Sequence, residues 1–387
     1  MRTFQNSPTG ASRRRLLKLC CSVILLVTGC SDRQIFDETG LVTVVGYDLE
    51  KDGNIRGTIV MPSINPEAKE KIQLISTEGK TSKGIRDKAN LQSDKRVLGG
   101  QLRVALYNEA LAKQGLGNIV DTLYRDPSIS SRLYLCVYEG STYDLLTYPY
   151  KELGNIGIYM YRMIEQNVKG EKIPSTTMHE FFRAYYDHGI DPQLPYVVRK
   201  GNEIEIKGVA LFQGDRYVGW ITPKEAFLIK LIHGNFRIGS YDTAVPAKVF
   251  GKYTLHEKDR KKEVHLVFDT ISSKSTIKLT NASPAHFDVS IKLDTRILEL
   301  TMPLKVDKSD VLQIMERELE KELEEKLLQV VKKMQDMNVD TAGFGIIYRA
   351  NRRGMEDMTV EEWRKMFKQA TFRFQVDATI IRNGVMN

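Results

Sequence analysis

Cysteine is scarce in this chain. The 387 residues include four, Cys20, Cys21, Cys30 and Cys136. Catalytic signatures are missing too. Six histidines (His179, His188, His233, His256, His265 and His286) are scattered, and none sits in the His-Glu-x-x-His spacing of a zinc helix. His179-Glu180 begins that pattern, but Arg183 interrupts it. There is no Gly-x-Ser-x-Gly elbow and no phosphate loop. Asp269, Asp288 and Asp294 share no spacing that makes an acid cluster, so they read as solvated strand-face acids. These absences argue against an enzyme, and neither a metal nor a cofactor is expected.

A strong charge of one sign is lacking as well, once the N-terminus is set apart. The whole chain has 57 Lys+Arg against 49 Asp+Glu, a net of +8. Five of those cations, Arg2, Arg13, Arg14, Arg15 and Lys18, precede residue 30, where no acid occurs. The remainder carries 52 against 49, a net of +3. That balance gives no reason to expect a nucleic-acid partner, which selects a strong basic patch.

What is present at the N-terminus is a secretory leader. The basic segment is followed by an apolar run, Leu19 to Val27, about ten residues and roughly half of what a spanning helix needs. Small residues and a cysteine close it: Val27-Thr28-Gly29-Cys30. This resembles the bacterial lipobox, with Val27 and Thr28 as tolerated variants. Residues 1–29 are therefore expected to be a signal peptide, and Cys30 the site of lipid attachment. Buried acyl chains contribute about 0.8 kcal/mol per methylene to holding such a protein on a membrane.

Only Cys136 is then left to a mature chain of 358 residues, so no intrachain disulfide can form. Packed cores must supply the stability, and hydrophobic residues at 42% are enough for them. Cys136 lies in Arg132-Leu-Tyr-Leu-Cys-Val-Tyr138, apolar on both alternating faces, which predicts a central buried strand.

The pattern along the chain predicts mixed architecture. Leu41–Tyr47 and Ile55–Met61 read as strands joined by a polar turn, with further strands at Gln101–Tyr107 and around Cys136. Ser82 is expected to cap a helix to about Ser93; other helices are expected at Asn108–Lys113, Gly117–Tyr124, Thr142–Thr147, Asn155–Asn167 and Thr176–Asp187. Strands alternating with helices indicate α/β. Pro192 and Pro195 mark a possible boundary. Beyond it, Glu203–Phe212 and Arg216–Ile221 form a hairpin, and Thr222-Pro-Lys-Glu225 opens a helix with a capping box. Val264–Thr270, Ser275–Thr280 and His286–Thr301 read as strands.

Asp307–Asp340 holds the strongest helical stripe: Val311, Leu312, Met315, Leu319, Leu323, Leu327, Val330 and Met334. Glu316, Glu320 and Glu324 are assigned mostly to its other face. The stripe is read as core packing, with a partner helix as the alternative. A helix at Val360–Gln369 and a strand at Thr371–Ile381 end an α+β region. The fold class expected is α/β plus α+β, multi-domain, with mixed sheets flanked by helices and a long C-terminal amphipathic helix. The divisions expected are 30–200, 201–245 and 246–387.

Several short motifs, in order, resemble one family. Gly29-Cys30-Ser-Asp-Arg-Gln-Ile35 and Val45-Gly-Tyr-Asp48 are similar to the start of the mature C-subunit lipoproteins of spore germinant receptors, the Ger(x)C or GerAC type. Gly100-Gln-Leu-Arg-Val104, Tyr124-Arg-Asp-Pro127, Lys207-Gly-Val-Ala-Leu-Phe212 with Val218-Gly-Trp-Ile-Thr222, Asp340-Thr-Ala-Gly-Phe-Gly345, and Trp363 before Phe367 continue the resemblance. Gln101 stands where the family has His, and Ile221 where it has Leu.

The resemblance implies a three-domain α/β fold without known enzyme activity. It also implies a place on the outer face of the spore inner membrane, anchored to lipid through Cys30. There the protein would work beside two integral-membrane subunits, A and B. The resemblance does not settle whether this subunit binds the nutrient. The alternative is a substrate-binding lipoprotein of a transporter, which would have two similar lobes; the sequence shows no such repetition.

Overall fold

Runs apolar on both faces form the central strands of one wide sheet. The structure, a computed structural model, describes residues 39–63, 72–234, 239–253, 263–302, 304, 308–351 and 358–381. Val27, Thr28, Gly29 and Cys30 lie outside the described residues, as does His256. Along the chain the elements are β1 (Val44–Leu49), β2 (Ile55–Pro62), β3 (Ile72–Gly79), α1 (Ser82–Asn90), β4 (Val104–Asn108), α2 (Glu109–Gln114), α3 (Gly117–Tyr124), β5 (Tyr134–Tyr138), α4 (Thr142–Thr147), α5 (Ile156–Lys169) and α6 (Met178–Tyr186). They continue with β6 (Gln193–Lys200), β7 (Glu203–Gln213), β8 (Arg216–Ile221) and α7 (Pro223–His233). The eight strands are ordered β8-β7-β6-β5-β4-β1-β2-β3. The central four, β6-β5-β4-β1, run parallel, and antiparallel hairpin strands extend both sides.

Both faces are covered, as parallel strands require. Ile85, Leu111, Val120 and Phe181 from α1, α2, α3 and α6 pack on one face. Leu145, Met160 and Ile164 from α4 and α5 pack on the other. Cys136, in the central β5, is fully buried, and burial pushes its thiol pKa well up. It is a core residue, not a nucleophile.

Two local expectations change. The cap of α1 is Thr81, whose side chain accepts from the Gly84 N–H; Ser82 is already inside the helix. Pro195 lies within β6 and does not break it. That position tolerates a residue without an N–H because β6 meets β5 only at Tyr196 and Val197.

Helix α7 has the capping box that its sequence announces: Thr222 accepts from Glu225 N, and Glu225 accepts from Thr222 N at 2.7 Å. Its Phe227, Leu228, Ile229, Leu231 and Ile232 are all buried. Six of its eleven residues, Ala226 among them, are buried, so most of the helix is covered and Pro223, Lys224 and His233 alone are exposed. One continuous core accordingly runs through α7 into the C-terminal layer.

That layer contains β9 (Ser240–Pro246), β10 (Glu263–Ala282), β11 (Ala285–Leu300), α8 (Ser309–Met337), α9 (Phe344–Ala350), α10 (Val360–Gln369) and β12 (Thr371–Ile380). The sheet order is β9-β10-β11-β12, with β12 parallel to β11. The two strands expected at 264–270 and 275–280 are one strand, β10, and a register shift between Thr270 and Ser272 absorbs the irregular stretch. Val311, Met315, Leu319, Leu323, Leu327, Val330 and Met334 of α8 are buried, so the stripe serves the core; Leu312 is half-buried. Among the described residues no helix is long and apolar enough to cross a membrane.

Three acids of α8 do something the periodicity did not suggest. Glu316, Glu320 and Glu324 do not face open solvent. They accept hydrogen bonds from the N–H groups of Ile380, Ala378 and Val376 at 2.8, 2.9 and 2.9 Å. The spacings match: four helical residues rise about 6 Å and two strand residues about 6.6 Å. The helix thus closes the β12 edge, where unpaired groups invite association. Glu320→Ala is expected to cost about 1–2 kcal/mol, and Glu320→Gln, which keeps an acceptor, clearly less. Urea unfolding checks this; equal losses for both variants would refute the ladder as a stabilising feature.

Candidate functional site

The family-like motifs of the second half converge on one joint. After α6, the segment Asp187-His-Gly-Ile-Asp191 leads into β6. After α8, Asn338 adopts a left-handed conformation, φ 56°, and ends the helix. Asp340-Thr-Ala-Gly-Phe-Gly345 follows and turns into α9. The two segments meet backbone to backbone. A Cβ on Gly189 would lie 2.5 Å from Ile346 N, and one on Gly345 would lie 2.6 Å from Gly189 Cα. Gly345→Ala is therefore expected to cost about 1–3 kcal/mol through overpacking, read as a lower denaturation midpoint. An unchanged midpoint would show that the joint yields freely.

Polar groups fasten this contact. Asp191 is buried, and its Oδ2 accepts from Asp340 N at 2.9 Å. Its Oδ1 accepts from Gly214 N at 3.1 Å and from Arg364 Nη2 at 2.7 Å. Asp191 N in turn donates to Asp340 O at 2.8 Å. One carboxylate thus ties the β7–β8 turn, the entry to β6, the end of α8 and helix α10. Nearby, Arg349 of α9 pairs with Asp187 at 2.5 Å.

Asp340 sits deeper. Its Oδ2 accepts from Gly345 N at 2.9 Å and from Trp363 Nε1 at 3.0 Å, while its buried Oδ1 has no partner among the described residues. Burial and the neighbouring Asp191 push its pKa up to about 7, against the pull of the hydrogen bonds from Gly345, Phe344 and Trp363. His233, at the end of α7, faces Thr341 O at 3.0 Å. His188 Nδ1 faces Met358 O at 3.2 Å.

The other motifs have structural explanations. Asp48, at the end of β1, accepts from Thr142 N at 2.7 Å, Thr142 Oγ1 at 2.9 Å and Tyr143 N at 2.8 Å, anchoring the start of α4. Gly46 leaves room for Thr142, whose Oγ1 would be 2.4 Å from a Cβ there. Gly208 makes space beneath Trp220, which stacks on Tyr196 at 5.7 Å and carries Lys207 Nζ 4.9 Å from its ring centre. Trp363 is a buried core anchor, whereas Trp220 is half-buried. Arg125 pairs locally with Asp121 at 2.6 Å. Arg103 Nη2 donates to Gln101 Oε1 at 3.0 Å, and its guanidinium lies 5.9 Å from the Tyr161 ring centre. Asp126 of the Arg-Asp-Pro motif pairs with Arg86.

Chemically, the joint holds segments together and contains a carboxyl that titrates near neutrality. Among the described residues no three His, Cys, Asp or Glu side chains are grouped to hold a metal ion. A cavity of about 30 Å³ beneath α1, lined by Val45, Tyr47, Ile85, Arg86 and Leu102 among others, has room for water-sized occupants but not for an amino acid or a sugar. Sequence reasoning misses Asp187, Asp191 and Arg364; the two acids carry one signal, charge beside glycine and proline in Asp187-His-Gly-Ile-Asp-Pro192, and Arg364 carries none.

The joint and the motifs from Asp32 onward lie within two family matches. The spore germination protein N-terminal domain matches residues 32–199, and the spore germination B3/GerAC-like C-terminal domain matches residues 207–384. The chain belongs to the GerAC-like family of spore germination proteins. A relative within that family, spore germination protein GerQC of Bacillus cereus, is 27% identical over 96% of this chain and 99% of its own length. Spore germination protein KC of Bacillus subtilis (strain 168) is 20% identical over 94% of each. The crystal structure of the GerBC protein superimposes with a TM-score of 0.57 at 17% identity, covering 87% of this chain and 97% of that one. The GerAC-like fold is thus shared, and the joint closes between segments that fall in the two matched domains, since Asp191 precedes residue 199 and Asp340 follows residue 207.

Proposed function

We propose that this protein is the lipid-anchored C subunit of a nutrient germinant receptor. It acts, without catalysis of its own, beside two integral-membrane subunits, A and B, to trigger spore germination. The observation that carries this reading is the match of both family domains in order across nearly the whole mature chain. The leader and Val27-Thr28-Gly29-Cys30 support attachment to membrane lipid, on the outer face of the spore inner membrane. On this reading residues 1–29 are removed. The mature chain then has an N-terminal α/β domain (30–200), a hairpin-and-helix region (201–245) and a C-terminal α+β domain (246–387).

Spores deleted for this gene are expected to lose the response to particular amino acids or sugars while a chemical trigger still works. Normal germination on every nutrient, in a strain stripped of its other receptors, would sink the proposal. Cys30→Ala is expected to abolish lipid attachment and to release or mislocalise the protein, seen by fractionation. Unchanged membrane retention together with an unmodified wild-type Cys30 would refute the anchor.

A further inference from the structure

The two outer edges of the C-terminal sheet are treated differently. The β12 edge is closed by the three glutamates of α8. On the opposite side β9 pairs with β10 only over Glu263–Asp269, and Thr270 N bonds to Gly239 O. Beyond Ser273, whose Oγ reaches Gly234 O, β10 pairs on one side only, with β11. At the hairpin tip the Tyr348 hydroxyl donates to Ala282 O. Between these points, among the described residues, no backbone group pairs with the outer edge at Lys274–Thr280.

The register says which groups point outward. Val376, Ala378 and Ile380 turn their N–H groups away from β11, so Gln375 and Asp377 bond to it. Gln375 is opposite Ser290, so parallel pairing uses Val289 and Ile291 of β11 towards β12. Ser290 and Lys292 must then bond to their β10 partners, Thr276 and Lys274. By alternation Ser275, Ile277 and Leu279 present their N–H and C=O groups outward. The run from Ser272 to Leu279 has no bulge and no proline; the edge devices it carries are the lysines Lys274 and Lys278, which disfavour pairing with a like-charged strand.

On the exposed face the two positions nearest this edge, Lys274 and Lys278, are cations, while further in Asp288 and Asp377 alternate with Lys292 and Arg373. Lys274 stands directly opposite Lys292, and Lys278 belongs to the row Lys278–Asp288–Arg373. Lys274, Lys278, Lys292 and Arg373 are all exposed, and none makes an ion pair among the described residues. A like-charged pair directly opposite is unfavourable in the free sheet and becomes favourable when acids arrive alongside. A strand added outside β10 would place alternate side chains next to Lys274 and Lys278.

We propose that the Lys274–Thr280 edge of β10 is a strand-addition site for an extended acidic segment of a partner polypeptide. Main-chain bonds to Ser275, Ile277 and Leu279 supply affinity, and the two lysines select acidic side chains. The proposal does not depend on the germination reading.

The test uses the full chain in detergent and two blocked octapeptides, one alternating Glu and Val, the other Lys and Val. The Glu-Val peptide is expected to bind and to slow amide exchange at Ser275, Ile277 and Leu279 by at least about tenfold at saturation. The pair Lys274→Glu with Lys278→Glu should weaken it about tenfold and create binding of the Lys-Val peptide. Ser275→Pro, at an outward N–H, should abolish binding while leaving the β10–β11 ladder intact. Should that variant fail to fold, the charge reversal decides alone. No binding at millimolar peptide, equal binding of both peptides, or indifference to the charge reversal would overturn the proposal. Protection of the same amides that grows with protein concentration, without peptide, would assign the edge to a second copy and overturn it as well.

Discussion

Asp191→Ala is expected to lower the free energy of unfolding by roughly 3–5 kcal/mol, the usual result of removing one partner from a buried charged pair. The carboxylate is buried, and its loss strands Arg364 together with the N–H groups of Gly214 and Asp340. Asp191→Asn keeps two acceptor sites at most on one oxygen and is expected to lose less. The comparison separates charge from hydrogen bonding. Because the four segments it ties come from both family domains, the Ala variant should also raise amide exchange at Gly214 and Asp340 before the sheets unfold. Full stability in the Ala variant, by urea titration, would show that glycine contact and packing alone hold the joint.

The second large effect is a pH dependence centred on Asp340. Its folded pKa, about 7, lies above its ordinary value of 3.8. Below about pH 4 the group is protonated in both states and costs nothing. As pH rises from about 4 to 7, the unfolded chain ionises while the folded chain does not, so stability is progressively lost. Above about pH 7 the loss is complete, about 4 kcal/mol at 1.36 kcal/mol per unit. Asp340→Asn does not titrate, and its amide oxygen can still accept from Gly345 N and Trp363 Nε1. The variant is expected to show a flatter denaturation midpoint than the wild type between pH 5 and 8, and to exceed it at pH 8. Parallel profiles for the two proteins would remove Asp340 as the titrating group.

Much of the fold was legible because local chemistry and burial agreed. Thr222, Pro223 and Glu225 mark the start of α7 without reference to anything distant. The bounds of α3 and α10 follow from the same kind of periodicity, as does the stripe of α8. The elements not foreseen lack such agreement. Helix α9 is seven residues with Gly345 inside it, poor helical material, and it forms where Asp340 receives the Gly345 N–H. In β9 the inward positions are Tyr241, Thr243 and Val245, and the buried threonine hides the apolar alternation. Strand β6 was obscured by Pro195, which only the short contact with β5 makes acceptable.

By itself the sequence determined the mixed fold class and the family, because each depends on residue types at short range or on motifs in order. Only the tertiary structure decided that Asp191 and Asp340, 149 residues apart, share one buried network, and that three glutamates of α8 close the β12 edge. Burial and hydrogen-bond partnership are properties of neighbours in space, and a charged residue looks the same in sequence whether it faces water or an unpaired backbone N–H.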